Sequence, residues 1–322
     1  MSIIADKYGR TFSTLRVSLL HHCNLGCIYC VSGDAELKQA NSPSRNSADH
    51  LSVPQLLRII GRLQTQLQLD TVRLTGGEPL LYTGIVELIR GLKAMGIPQI
   101  KLTTNGFLLE RLAKPLADAG MQSINVSLDA VDEAVFVKMS RRHSVDRIIR
   151  GIDAASAAGI TIKINTVVMK GINDSQILPL TEFAFSRGIA IRFLEIMAMG
   201  YLHDQASHYL LTRDEILGMI STRYSLHPTD RTASATARYW KTAKGQVVGI
   251  IANETEPFCR DCNRLRLDSS GNIYGCLSSN HPIALGLEDS EIEWEGKLKA
   301  ALAQKQLVRF IGSDLSMLHI GG

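Results

Sequence analysis

No apolar run in this chain approaches the ~20 residues that a membrane-spanning helix requires, which excludes a helical membrane anchor. The opening residues, Met1-Ser2-Ile3-Ile4-Ala5-Asp6-Lys7, place no basic region ahead of an apolar one, so no secretory leader is expected. Charge of one sign is also scarce. Lys and Arg number 35 and Asp and Glu 31, a net of +4 over 322 residues. That balance gives no reason to expect nucleic acid, though it leaves room for a local basic site that takes an anionic ligand. Low-complexity tracts and repeats beyond a β-α unit are missing too. What remains is an ordinary cytoplasmic composition, 45% hydrophobic and 20% charged. The length suits one large α/β domain or two smaller ones. Nothing suggests an oxidising compartment, so the six cysteines should stay reduced and are better explained as metal ligands.

Those cysteines fall into two groups of three. Cys23-Asn24-Leu25-Gly26-Cys27-Ile28-Tyr29-Cys30 follows the apolar run Leu15–Leu20. A C-x3-C-x2-C loop can close around one face of a cluster. A cubane of four irons ordinarily takes four thiolates, so three leave one iron open to a ligand that reacts. An odd count argues against disulfides. A zinc site completed by His21 or His22, or buried free thiols, remain as alternatives, although the spacing is awkward for zinc. The second group is Cys259, Cys262 and Cys276, and His281 could complete a structural Cys3His zinc site there. Between these ligands, Asn263-Arg264-Leu265-Arg266-Leu267-Asp268 alternates in a strand pattern. Arg264 and Arg266 therefore share one face and form a fork for phosphate or carboxylate, or else a solvated basic edge.

Strand-like runs at 15–20, 71–75, 99–104, 122–128, 161–168 and 189–195 alternate with helical patterns. One such helix opens at Leu51-Ser52-Val53-Pro54, with Ser52 as N-cap and Pro54 in the first turn. Alternation of this kind implies right-handed crossovers and a parallel sheet. Six units predict an α/β fold, an incomplete (β/α)6 barrel of the TIM type with one side open, against a flat doubly wound sheet as the alternative. The unusual residues converge on one rim. Cys23–Cys30, Gly76-Gly77-Glu78-Pro79, Thr104-Asn105-Gly106, Ser127-Leu128-Asp129 and Glu195 all sit at carboxyl ends of strands, where parallel folds bind ligands. Each alone reads as a turn or a helix cap. After about residue 200 the pattern changes. A helix at about 213–222, strands at 247–252, 264–268 and 272–275 and a charged helix at about 288–305 suggest an α+β extension over the open side. The expected division is 1–200 and 201–322. Residues 31–50 read as a long polar loop.

The first cysteine motif, with an aromatic before its last Cys, resembles the signature of the radical S-adenosylmethionine (radical SAM) enzymes. The order of motifs narrows the likeness: LRVS at 15–18, RLTGGEPL at 73–80, TTNG at 103–106, NVSLD at 125–129, KIN at 163–165, RFLEIM at 192–197, PFCRDCNRLRL at 257–267 and the terminal Gly321-Gly322. Along nearly its whole length the chain resembles the GTP 3',8-cyclase family, which performs the first step of molybdenum cofactor biosynthesis. The resemblance implies two 4Fe–4S clusters, one on Cys23, Cys27 and Cys30 that binds S-adenosylmethionine (SAM) and one on Cys259, Cys262 and Cys276 that meets the guanine ring. It implies that the Tyr29 backbone, Gly77, Ser127 and Met197 line the SAM pocket. Arg16, Arg73, Thr103, Lys163, Arg264 and Arg266 would hold GTP. Arg192 is a further candidate, and with the tail Gly321-Gly322 it would be needed for catalysis. A deoxyadenosyl radical would take hydrogen from ribose C3', and that carbon would add to guanine C8. Implied partners are GTP, a flavodoxin- or ferredoxin-like electron donor and a downstream cyclic pyranopterin-forming enzyme, without nucleic acid or membrane, and with a homodimer as a candidate assembly. The chain departs from the family at Val31-Ser32-Gly33-Asp34, at His21-His22, and at Thr71, where members often carry Lys. The alternative is a diverged radical SAM paralogue acting on another nucleotide or on a peptide.

Overall fold

The computed structural model describes residues 4–33 and 50–321. Most of the 31–50 loop and the terminal Gly322 lie outside the described residues.

Six parallel strands form in chain order: β1 (Thr14–Ser18), β2 (Thr71–Thr75), β3 (Gln99–Thr104), β4 (Ser123–Ser127), β5 (Thr161–Val168) and β6 (Ala190–Glu195). Each pairs in parallel with the next, as a run of right-handed crossovers requires. The crossover helices bury one apolar stripe against the outer sheet face. Val53–Leu67 places Leu56, Ile59, Ile60 and Leu63 inward. It starts as its sequence predicts, with Pro54 in the first turn and Ser52 and Gln55 exchanging capping bonds. Leu15, Val17, Val72, Leu74, Leu102, Ile124 and Ile164, from alternating strand positions, complete that core and are fully buried. The opposite face of the same strands carries Arg16, Arg73, Lys101, Thr103, Asn125, Lys163 and Arg192, so the barrel interior is polar.

The later residues continue the sheet at both edges. After β7 (His227–Pro228) and β8 (Arg238–Lys241), β9 (Val247–Ile251) joins β6 in parallel. β10 (Arg264–Leu267) joins β1 in parallel and leads into β11 (Asn272–Tyr274) and β12 (Ile283–Ala284). The result is one open sheet in the order β12-β11-β10-β1-β2-β3-β4-β5-β6-β9-β8-β7. The incomplete barrel is therefore present. Its extension reaches the open side by adding strands, more than by lying across it. Two helices of the extension match their sequence patterns, at Arg213–Ser221 and Glu291–Ala303. Trp294 of the second is fully buried, and Arg62 stacks on its ring at 4.0 Å.

Candidate active site

The loop carrying Cys23, Cys27 and Cys30 leaves β1 and is held by main chain on two sides. Gly77 N donates to Leu20 O at 2.7 Å and Glu78 N to His22 O at 2.8 Å. A Cβ on Gly77 would stand 2.2 Å from the His22 oxygen, so the approach requires glycine. On the other side Gly26 N and Ile28 N donate to the carbonyls of Ser140 and Met139, both at 2.9 Å. Glu78 is fully buried yet accepts from Leu80 N, Thr104 Oγ1 and Asn105 N. Burial still pushes its carboxyl up to about 7. Asn105 in turn donates to Asn24 Oδ1 at 2.8 Å, and its amide lies 3.7 Å from the Cys23 sulfur. The Tyr29 hydroxyl donates to Asp129 at 2.8 Å, and Val167 N donates to the same carboxylate. Burial raises all three thiols of this trio, Cys23 to about 12. Such thiols bind a metal only by giving up their protons to it.

The second trio sits beside β10. Arg10, held by Asp6 at 2.7 Å, donates to the carbonyl of Cys259 at 2.6 Å. Asp261 is fixed between the cysteines by a bidentate bond from Arg231. Burial raises Cys259 to about 11. Burial also acts upward on Cys262, but Arg264 and Lys305 outweigh it and bring that thiol down to about 7. The Lys305 ammonium lies 3.5 Å from the Cys262 sulfur and donates to the carbonyl of Arg264.

Both trios open into one cavity of about 320 Å³. Its wall includes all six cysteines, together with Arg16, Arg73, Thr103, Arg192, Arg264 and Arg266. Tyr29, Gly77, Ser127 and Met197 line it as well. Arg192 and Arg266 are buried and the other three half-buried, all with few partners. Arg16 Nε and Arg192 Nε and Nη2 are sealed from water and meet no acceptor among the described residues. Burial lowers Arg16, and Arg266, Arg73 and Arg264 lower it further by repulsion. Burial takes Arg73 and Arg266 down to about 10, which still leaves both charged at neutral pH. The partners of these arginines are carbonyls and hydroxyls, with no carboxylate ion pair among the described residues, and such a group of guanidiniums suits a polyanion.

Lys163 does not line this cavity. Its ammonium stands 5.9 Å from the Tyr239 ring centre. The zinc alternatives find no support in the geometry. Neither His21, His22 nor His281 lines the cavity. Among the described residues no three Cys, His, Asp or Glu groups converge as one metal ion would demand. A cubane takes its thiolates on separate irons and does not require that convergence. Glu195 lies at the wall but is spent on structure, accepting from the backbones of Arg213, Glu254 and Thr255.

The carboxyl-terminal tail turns inward. Met317–Ile320 forms one helical turn, and Ile320 and Gly321 are buried. His21 Nδ1 donates to Leu318 O at 3.3 Å, while its Nε2 pairs with Ser269 Oγ at 3.0 Å. Arg266 donates to the carbonyls of Ile320 and Gly321.

With that geometry in view, the comparisons with known proteins decide the family. Residues 17–184 match the radical SAM superfamily and residues 189–309 match the molybdenum cofactor synthesis C family. A GTP 3',8-cyclase of Synechocystis sp. is 37% identical over 319 residues, 99% of this chain and 95% of that protein. Another from Rhodopirellula baltica is 35% identical over 97% of this chain and 88% of its own length. The chain belongs to the GTP 3',8-cyclase family of the radical SAM superfamily. Solved structures add the fold. Streptococcus suis SuiB bound to its precursor peptide SuiA aligns with a TM-score of 0.65 at 18% identity, covering 92% of this chain and 67% of SuiB. Native anSMEcpe with bound AdoMet aligns at 0.64 and 14% identity, covering 92% and 82%.

Within this family member two residues near the site carried no motif. Lys305 follows a charged helix with nothing in sequence to tie it to Cys262. Lys101 lies in the middle of β3, and only the pairing of strands shows what stands beside it.

Proposed function

We propose that this chain cyclises GTP to (8S)-3',8-cyclo-7,8-dihydro-GTP, the first step of molybdenum cofactor biosynthesis. One observation carries the reading: the two cysteine trios share a single cavity with five arginines, among whose atoms Arg16 Nε and Arg192 Nε and Nη2 are sealed without an acceptor among the described residues. Cys23, Cys27 and Cys30 would hold a 4Fe–4S cluster whose open iron takes SAM, and Cys259, Cys262 and Cys276 a second cluster facing the purine. The reduced cluster with SAM supplies hydrogen-atom abstraction at an unactivated carbon, a chemistry no side chain offers.

The residues position and protect. The Gly76-Gly77 main chain leaves the space a methionyl group needs, and the Tyr29 backbone, Ser127 and Met197 complete that side. Arg16, Arg73, Arg264 and Arg266, with Thr103, would grip the triphosphate, while Arg192 and the Gly321-Gly322 tail would close over the reacting ribose. Lys163, set on Tyr239, would act from below the wall. Holding ribose C3' close to the abstracting carbon, with water and other hydrogen donors kept out, is the main task of such a site. A low-potential electron donor of the flavodoxin or ferredoxin class would reduce the cluster, and a cyclic pyranopterin-forming enzyme would take the product.

The test is anaerobic incubation of the reconstituted protein with SAM, dithionite and GTP. The expected result is 5'-deoxyadenosine and the cyclised nucleotide formed together. Deoxyadenosine formed without any GTP-derived product overturns the assignment of substrate.

A further inference from the structure

Four cations stand in one register line across four neighbouring parallel strands. Arg266 of β10 pairs with Arg16 of β1, Arg16 with Arg73 of β2, and Arg73 with Lys101 of β3. Residues so paired project from the same sheet face, about 4.8 Å from strand to strand. Like charges placed directly opposite one another on adjacent strands destabilise a sheet. A row of four therefore marks a place where a multivalent anion settles. The first three line the cavity already described, and the fourth, Lys101, stands just outside that lining, next to Arg73 in register.

We propose that Lys101 is a triphosphate-binding residue that contacts the phosphate lying deepest in the barrel. Lys101 is flanked by two wall residues: Arg73 beside it in register, and Thr103 two positions on along the same face. Arg73 Nη1 donates to Thr103 Oγ1 at 3.3 Å, so its guanidinium leans toward the carboxyl rim. Lys101 is left at the floor of the cation group. Among the described residues its ammonium has no hydrogen bond or ion pair. The charges that act on it are Arg73, Lys163 and Arg192, which repel, and Asp70, which attracts.

The position also bears on Thr71. Thr71 and Arg73 share a face of β2, and Thr71 pairs with Gln99, two residues before Lys101. Lys101 thus lies diagonally across from Thr71, about 7–8 Å away and within reach of a long side chain. An ammonium at either position would reach toward the same deep phosphate.

The inference rests on the GTP reading above, and its test separates the two. Binding of GTP, GDP and GMP to the anaerobically reconstituted protein is measured for wild type, Lys101→Met, Lys101→Thr and Thr71→Lys/Lys101→Thr. The wild type should prefer GTP to GDP. Lys101→Met and Lys101→Thr should lose about 10- to 100-fold in GTP affinity, the worth of a charge-assisted hydrogen bond. GMP affinity should hold, and the double variant should recover most of the loss. Without nucleotide, Lys101→Met should melt higher than wild type, because a repelled charge is gone. Equal losses for GTP and GMP, or no loss for GTP, overturn the role of Lys101 while the cyclase reading stands. A wild type that binds no guanine nucleotide overturns both.

Discussion

Arg266 donates a hydrogen bond to the carbonyl oxygen of Gly321, joining β10, which follows Cys259 and Cys262, to the carboxyl-terminal tail. Gly321 holds φ at +75°, and a Cβ there would come 2.6 Å from Thr75 Cγ2 and 3.1 Å from Ser18 Cβ. Gly321→Ala should therefore eject the tail. Strain of about 1–2 kcal/mol from the left-handed backbone adds to the clash. We expect cyclised product to fall at least about tenfold, while the melting temperature moves by only a few degrees. Product quantified beside a melting curve checks this. A variant with full turnover would show that the tail plays no part.

His21 clips the same tail from the other side. Its Nδ1 must donate, because the Leu318 carbonyl can only accept, and Ser269 Oγ then serves Nε2. His21→Leu removes both bonds, a loss of about 1–3 kcal/mol in docking. Limited proteolysis read by mass spectrometry should then release the last residues sooner. Iron bound by Cys23, Cys27 and Cys30 should be unchanged, since both ring nitrogens of His21 are engaged by Leu318 and Ser269. A cleavage rate equal to wild type would contradict the clip.

A cubane on each cysteine trio, as proposed, would give about eight irons per reconstituted chain. Cys276→Ala and Cys23→Ala should each retain about four, and Cys276→Ala should still cleave SAM. Iron analysis with a deoxyadenosine assay separates the trios. A Cys276→Ala protein with all of its iron would show that the second trio holds none.

Arg16 is half-buried, and its Nε is sealed from water without an acceptor among the described residues. Replacing such a group by an apolar one of similar length removes a desolvation cost. Arg16→Met should melt a few degrees higher without nucleotide and bind GTP about 100-fold more weakly. Calorimetry with and without GTP measures both. A lower melting point in the absence of nucleotide would mean that Arg16 supports the fold itself.

Asp6 supplies a pH dependence. Burial acts upward on its carboxyl, but hydrogen bonds from the Arg10 guanidinium and from the backbones of Arg10 and Tyr8 hold it below the ordinary range. A depressed folded-state pKa means that the unfolded chain binds the proton more readily. The contribution is complete above the unfolded value of about 3.9 and is lost as pH falls through the folded one. Asp6→Asn should remove that acid-side decline and loosen Arg10 from the Cys259 carbonyl. Urea unfolding of wild type and variant across pH 3–6 tests it.

How much of this could be read from the sequence depended on range. The six barrel strands were legible because alternation and turn chemistry are local: Gly76-Gly77, Asn105-Gly106 and Asp129 punctuate their carboxyl ends. The helix at Val53–Leu67 announced its start through Ser52 and Pro54. β8 was not legible, since Arg238-Tyr239-Trp240-Lys241 is a short outer strand with charged ends. Nor could the sequence say that β10 lies beside β1, because register between distant strands leaves no mark in either. For the same reason Arg16, Arg73 and Arg266 were found by motif, whereas Lys101 became visible only once β2 and β3 were aligned.

The pairing of Thr14 with Arg264, about 250 residues later, constrains synthesis as well as shape. Until the last quarter of the polypeptide leaves the ribosome, β1 and β6 each expose an unpaired row of amides and carbonyls, the kind of border that recruits other chains. Contacts of such long separation also form slowly. A protein cut near residue 200 should therefore aggregate instead of persisting as a smaller soluble barrel, and the intact one should need protection while it is being made.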